Sequence, residues 1–174
     1  MTTTPPQRHT FGTADTECRY PVLLNGHYIG MVFRWHRAWI AIPAGLENEI
    51  RVSAGSIGKD AAARYLCDEF DAGRITPHQK YPEFSSSAGI SGPAPLLHPR
   101  MRATARNKDV ASAALQGLSD YRWTALGGYP GADNPWLLNC DLCGWVGPKY
   151  WSHLRGRNEN PPSMFRHPGC ARPQ

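Results

Sequence analysis

The sequence predicts an α+β protein built from two small modules: a three-stranded sheet with one packed helix, a linker, then a short helix and a zinc-knuckle module. Three observations lead there. Alternating apolar strands around an Asn-Gly turn give way to helical spacing before residue 73. A stretch rich in Pro, Gly and Ser follows. The chain then closes on two ligand pairs of matched spacing, "CDLC" and "HPGC". The corresponding boundaries are 18–73, 74–100 and 101–174. With 17 Gly and 16 Pro among 174 residues, small modules joined by loops suit the composition better than one large core.

The elements of the first module run in order. Residues 1–15 read as a flexible tail. "PVLL" is a short strand, and "NG" after it is the strongest short-range hairpin signal. In "YIGMVFRW", alternation places Ile29, Met31, Phe33 and Trp35 on one face and Tyr28, Gly30, Val32 and Arg34 on the other. "AWIAI" continues with Ile40 and Ile42 on the first face and Trp39 and Ala41 on the second. The first face is the expected core, which leaves Arg34 and Trp39 pointing away from it. "EIRVS" offers a further strand. From Ser56, a suitable N-cap, Ile57, Ala61 and Tyr65, with Ala62, Leu66 and Phe70, recur at helical spacing, and Gly73 stops the helix.

Residues 74–100 show no periodicity and read as the linker. In the second module, Val110, Ala114 and Leu118 lie at i, i+4 and i+8, a short helix with Asn107 or Asp109 available to cap it. Arg100, Arg102, Arg106 and Lys108 cluster just before or at its start. "WLLNC" is a strand leading into the first ligand pair.

Five cysteines with one tight pair are poor material for a disulfide framework and better material for a metal site in a reducing compartment, hence a cytoplasmic location. Cys140 and Cys143 form a Cys-x-x-Cys-Gly turn, and His167 and Cys170 repeat its spacing 23 residues later. Three Cys and one His make a closed structural Zn²⁺ set. His153 competes with His167 for the third place. Only nine residues separate it from Cys143, where two-Cys, two-His fingers have about twelve. Cys18 and Cys67 have no neighbour at ligand spacing and read as buried thiols.

Charge separates the two halves. Residues 1–75 carry eight Lys/Arg and eight Asp/Glu, whereas residues 76–174 carry eleven against six. The excess favours a nucleic-acid partner. Around the metal motif, Lys149, Arg155 and Arg157 are interleaved with Tyr150 and Trp151, a combination suited to backbone contacts and base stacking. No apolar run reaches the roughly 18 residues of a membrane span. Nor does any hydrolase or phosphate-loop motif occur. The constellation His153, Asn158 or Asn160, and His167 has the wrong spacing for a metal nuclease, so a non-enzyme is expected.

Two resemblances sharpen these expectations. Tyr28, Gly30 and Val32 with Arg34, then Trp39-Ile40-Ala41-Ile42, then the helix from Asp60 to Tyr65 resemble the DNA-binding domain of ethylene-response factors and its relatives in integrases. That resemblance implies a sheet whose face away from the helix enters the major groove, presenting Arg34, Arg37 and Trp39, with Arg51 beside them. The C-terminal part resembles zinc-knuckle or zinc-ribbon modules of phage and mobile-element accessory proteins. Together they point to a nucleic-acid-binding accessory or regulatory protein, DNA over RNA. A zinc-stabilised protein-interaction adaptor or inhibitor is the alternative, and a divalent-metal nuclease the third reading.

Overall fold

The computed structural model describes residues 7–55, 58–78, 93–157 and 167–170. The chain divides into two compact units, one of residues 1–15 and 19–86 and the other of residues 16–18 and 87–174.

The first unit is larger than a three-stranded module. Strands β1 (His9–Phe11), β2 (Tyr20–Leu24), β3 (His27–Trp35), β4 (Ala38–Pro43) and β5 (Ile50–Ala54) form one five-stranded antiparallel sheet in sequence order. Asn25 and Gly26, with φ of 51° and 80°, close the β2–β3 hairpin, and His36 and Arg37, at 46° and 65°, close β3–β4. Positive φ at both central residues matches the twist of the flanking strands. Strand β1 lies inside the segment expected to be a tail. Lys59 holds its ammonium 4.0 Å from the Phe11 ring centroid and 3.6 Å from that of Tyr20, and Arg8 forks onto Asp71 at 2.7 and 3.0 Å.

Helix α1 (Gly58–Asp71) packs on the sheet through Ala62, Ala63 and Leu66, against Val22, Ile29, Val32 and Ala41. The expected cap Ser56 and first apolar residue Ile57 lie outside the described residues. Gly73, at φ 71°, donates its amide to the Phe70 carbonyl and ends the helix.

The face assignment read from alternation holds at Ile29 but is inverted beyond it, although Phe33 on the other face is buried as well. Val22 pairs with Gly30 but Leu23 pairs with Tyr28, which leaves Ile29 as the extra residue of a bulge. A bulge resets the alternation, so Ile29 joins the same core as Val32. Beyond it, Gly30, Val32, Ala41 and Trp39 lie on the helix side. A Cβ on Gly30 would sit 3.0 Å from a Leu66 methyl, and one on Gly58 would sit 2.1 Å from the Trp39 ring. The Trp39 indole N–H donates to the Gly55 carbonyl at 3.1 Å. Arg34 pairs with Trp39 across the strands and shares its face. Trp39 therefore seats the start of α1 and does not point away from the core. Trp39→Ala should destabilise the first unit by about 2–3 kcal/mol in denaturant titrations, more than Ile40→Ala does; the reverse order would restore the original orientation.

The ends of the 74–100 stretch carry structure. Ile75 is buried in the first core, and His78 and Tyr28 exchange backbone hydrogen bonds at 3.0 Å. In the second unit, Leu97 bridges to Tyr129.

The second unit contains α2 (Ala105–Asp120), the three-stranded antiparallel sheet of β6 (Trp123–Ala125), β7 (Trp136–Cys140) and β8 (Val146–Lys149), and the single turn α3 (Trp151–Leu154). With the five-stranded sheet, this makes eight strands and three helices among the described residues, which replaces the expected single small sheet. Thr104, not Asn107 or Asp109, caps α2, its hydroxyl accepting from the Asn107 amide. The buried face runs through Ala111, Ala114 and Leu118; Ala114 and Leu118 are as expected, whereas Val110 is 45% exposed and Ala111 takes its place. These residues meet Trp123, Trp136, Leu138 and Trp151 in one core. Gly117 lets Trp151 approach, since a Cβ there would lie 2.6 Å from the ring.

Candidate metal centre

Strand β7 ends at Cys140, paired across the sheet with Trp123. The chain then turns tightly. The amides of Cys143 and Gly144 both donate to the Cys140 carbonyl, at 3.3 and 2.8 Å, while the Cys140 amide donates to the Trp145 carbonyl at 2.8 Å. Gly144 adopts φ 74°, which a residue without Cβ takes readily. At the other pair the Cys170 amide donates to the His167 carbonyl at 3.2 Å, with Gly169 at φ 76°. The two matched spacings are thus two similar turns, each presenting two side chains to one point.

At that point the donor atoms of Cys140, Cys143, His167 and Cys170 all lie within 4.8 Å of one another, a group that could hold a metal ion. Cys140 Sγ and Cys170 Sγ are 3.7 Å apart. A tetrahedral ion with metal–sulfur bonds near 2.3 Å sets that edge at roughly 3.8 Å. Cys143 Sγ and His167 Nε2 stand at 3.1 Å, closer than the roughly 3.6 Å such an ion would impose, so this pair would open slightly on binding. Burial, and then hydrogen bonding to Cys140, pushes the Cys170 thiol above the ordinary thiol range. A bound divalent cation reverses that preference by stabilising thiolates.

His167 is prepared as a ligand. Its Nδ1 lies 2.9 Å from the Pro168 carbonyl, and a carbonyl only accepts, so Nδ1 carries the proton and Nε2 keeps its lone pair for a metal. The ring is buried, stacked on Trp145 with centroids 4.6 Å apart and 10° between planes, and edge-on to Trp123 at 6.1 Å. Sequence reasoning missed Trp123 and Trp145 as supports of the site. The "CGW" triplet carries the signal for Trp145 only in hindsight of the second turn, and nothing local marks Trp123.

His153 does not reach the cluster. It is exposed on α3, its ring 5.2 Å from that of Tyr150. Asn158 and Asn160, the other members of the nuclease-like constellation, lie outside the described residues. Cys18 and Cys67 are buried apart from the group, and burial pushes the Cys67 thiol up.

The cationic residues singled out from the sequence are dispersed. Arg34 is half-buried beside Trp39, and Arg37 is exposed at the tip of the β3–β4 turn. Lys149 holds its ammonium 5.4 Å from the Trp123 ring and 5.5 Å from that of Trp145, in the layer that supports His167. Arg157 pairs with Asp133 at 2.5 Å. Arg155 is exposed. The exposed cations at the start of α2, Arg102, Arg106 and Lys108, belong to the same unit as the metal group.

Four protein donors in two Gly-closed turns make up a Cys₃His group that could hold a metal ion. No family model, curated protein or solved structure matches the chain. No helix among the described residues is long and apolar enough to cross a membrane.

Proposed function

We propose that this protein is a nucleic-acid-binding accessory or regulatory factor, DNA over RNA, whose second unit is held together by a structural zinc ion. Zinc follows from the donor set: three soft thiolates and an imidazole at tetrahedral spacing suit it better than the oxygen-seeking divalent cations. Thiolate ligands also suit a reducing, cytoplasmic setting. Four protein donors leave no open position for an activated water, so zinc held there has a structural and not a catalytic role.

The observation that carries the nucleic-acid reading is the start of α2. Arg102, Arg106 and Lys108 are exposed there, and the first turn holds no acidic residue. Helices ordinarily place carboxylates at this end, because the macrodipole is positive there. Cations in that position cost stability and create a local positive field, a departure from local rules of the kind that marks function. Phosphates are the natural counter-charge. Arg155 adds a further exposed cation to the same unit. The sheet of the first unit contributes less, since Trp39 and Arg34 face α1, and only Arg37 and Arg51 remain exposed on β3–β5 and their turns. The adaptor alternative has weaker support: the exposed large apolar residues Leu46, Leu96, Val110 and Val146 are scattered along the chain.

A salt titration tests this. Binding of the zinc-loaded protein to duplex DNA should weaken with salt, log K against log salt falling with a slope of about −3 or steeper if three phosphates are neutralised. Replacing Arg102, Arg106 and Lys108 together by Ala should remove most of that slope at unchanged zinc content. Salt-independent binding, or a triple variant that binds like the parent, would end the proposal.

A further inference from the structure

The four donors differ sharply in access. Cys140 is fully buried at the end of β7, His167 is buried under Trp145, Cys170 is half-buried, and Cys143 is exposed. A zinc-bound sulfur is a thiolate, and the thiolate is the form that oxidants attack. Access then selects one sulfur of the three. Cys170 Sγ lies within 4.8 Å of it, so a second sulfur stands beside the first point of attack. An accessible sulfur next to a resolving thiol is the arrangement of redox-responsive cysteines.

We infer that the Cys₃His group is a peroxide-responsive release switch, in which oxidation begins at Cys143 and is resolved by Cys170, with expulsion of the metal. This rests on the reading of the group as a zinc site. In the first step the Cys143 thiolate attacks hydrogen peroxide. A sulfur–oxygen bond forms, the peroxide oxygen–oxygen bond breaks, one proton is taken up, water leaves, and the zinc–sulfur bond to Cys143 is lost. In the second step the Cys170 thiolate attacks the sulfenic sulfur. The disulfide forms, the sulfur–oxygen bond breaks, and hydroxide leaves to be protonated to water. Two thiols have then been oxidised by two electrons and one peroxide reduced to two waters. Zinc retains only Cys140 and His167, too few to hold it against solvent. Its loss frees the turn at residues 167–170 from β7, so the same event that oxidises the site also loosens the second unit. A thiol reductant with added zinc reverses it.

The test uses the whole zinc-loaded protein, hydrogen peroxide and a chromogenic zinc chelator. One zinc per chain should be released, two of the five thiols should disappear, and peptide mapping should find Cys143 joined to Cys170. Brief labelling of untreated protein with iodoacetamide should modify Cys143 before any other member of the group. The Cys143→His variant, which keeps four donors without the exposed sulfur, should release zinc at least about tenfold more slowly. The Cys18→Ser, Cys67→Ser double variant should release it like the parent. Zinc that stays bound after peroxide treatment, or first labelling at Cys140 or Cys170, would overturn the inference while leaving the zinc reading intact. Protein that contains no zinc before treatment would instead remove the zinc reading itself. The labelling arm needs no variant, so a Cys143→His protein that fails to fold does not blunt the test.

Discussion

Stripping the metal should unfold the second unit and leave the first one folded. The Cys₃His group adjoins the core of that unit: Cys140 lies within the cluster of Leu118, Trp123, Trp136 and Leu138, and Cys170 and Trp145 pack against it. Among the described residues, the 167–170 turn meets the β7 side through the His167 ring on Trp145 and Trp123 and through the Cys140–Cys170 and Cys143–His167 contacts, all of which converge on the metal group. Structural zinc in small modules contributes about 10–16 kcal/mol of apparent binding energy near neutral pH, more than the roughly 5–15 kcal/mol that separates a whole domain from its unfolded state. The first unit has its own core of Val22, Ile29, Val32 and Leu66 and holds none of the four ligands. Tryptophan reports the difference, because Trp123, Trp136, Trp145 and Trp151 lie in the second unit and Trp35 and Trp39 in the first. Purified protein should contain one zinc per chain, and a strong chelator should abolish the near-ultraviolet signal of the second unit while amide exchange of β2–β4 stays slow. Acid should act in the same direction as the chelator. The ligands must be deprotonated to bind, and in the metal-free state burial and Cys140 already push the Cys170 thiol up, so protons displace zinc as pH falls. A chelated protein with unchanged near-ultraviolet signal would show that the group is not structural.

The metal group was legible because its information is local. Each pair needs only a fixed spacing and a Gly to bend the chain, and the two pairs reinforce each other across 23 residues. The choice of His167 over His153 followed from the same repeat, and the buried ring with its Nδ1 committed to the Pro168 carbonyl gives it a physical reason. The orientation of the sheet was not legible. Strict alternation assumes an unbroken ladder, and the single extra residue at Ile29 cannot be seen in "YIGMVF", where apolar residues occupy both parities. Strand β1 was missed for a related reason: three residues carry too little pattern, and what fixes them is remote, the Asp71 carboxylate and the Lys59 ammonium. Helix α2 was legible, with Ala114 and Leu118 on its buried face, but not the choice of Ala111 over Val110, since "DVASAALQGL" offers apolar side chains around much of the helix. Which of them is buried depends on the bulk of Trp151 over Gly117, a contact fixed only by the fold.

Gly30→Ala should be among the most damaging single substitutions in the first unit, at about 3 kcal/mol or more. Gly30 adopts φ 147° next to the β3 bulge, a conformation that residues with a Cβ rarely take. An added Cβ would also lie 2.4 Å from the Ile42 carbonyl oxygen and 3.0–3.1 Å from the two Leu66 methyls. The Leu66 side chain can yield by changing rotamer. The carbonyl cannot, because it belongs to β4, which the ladder holds to β3 through Gly30↔Pro43 and Met31↔Ile42. Gly26 is the control. It too has positive φ, 80°, but nothing lies within 4 Å of its added Cβ, so Gly26→Ala should cost only the backbone strain, about 1–2 kcal/mol. Denaturant titrations followed through Trp35 and Trp39 separate the two. The cause is then tested by combining Gly30→Ala with Leu66→Ala. If the backbone contact dominates, removing the Leu66 methyls brings no recovery and the double variant is weaker than either single one. Recovery on truncating Leu66 would place the conflict in the side chain. A Gly30→Ala cost no larger than that of Gly26→Ala would mean that β3 and β4 do not close on each other at this point, and the inverted face assignment would lose its main support.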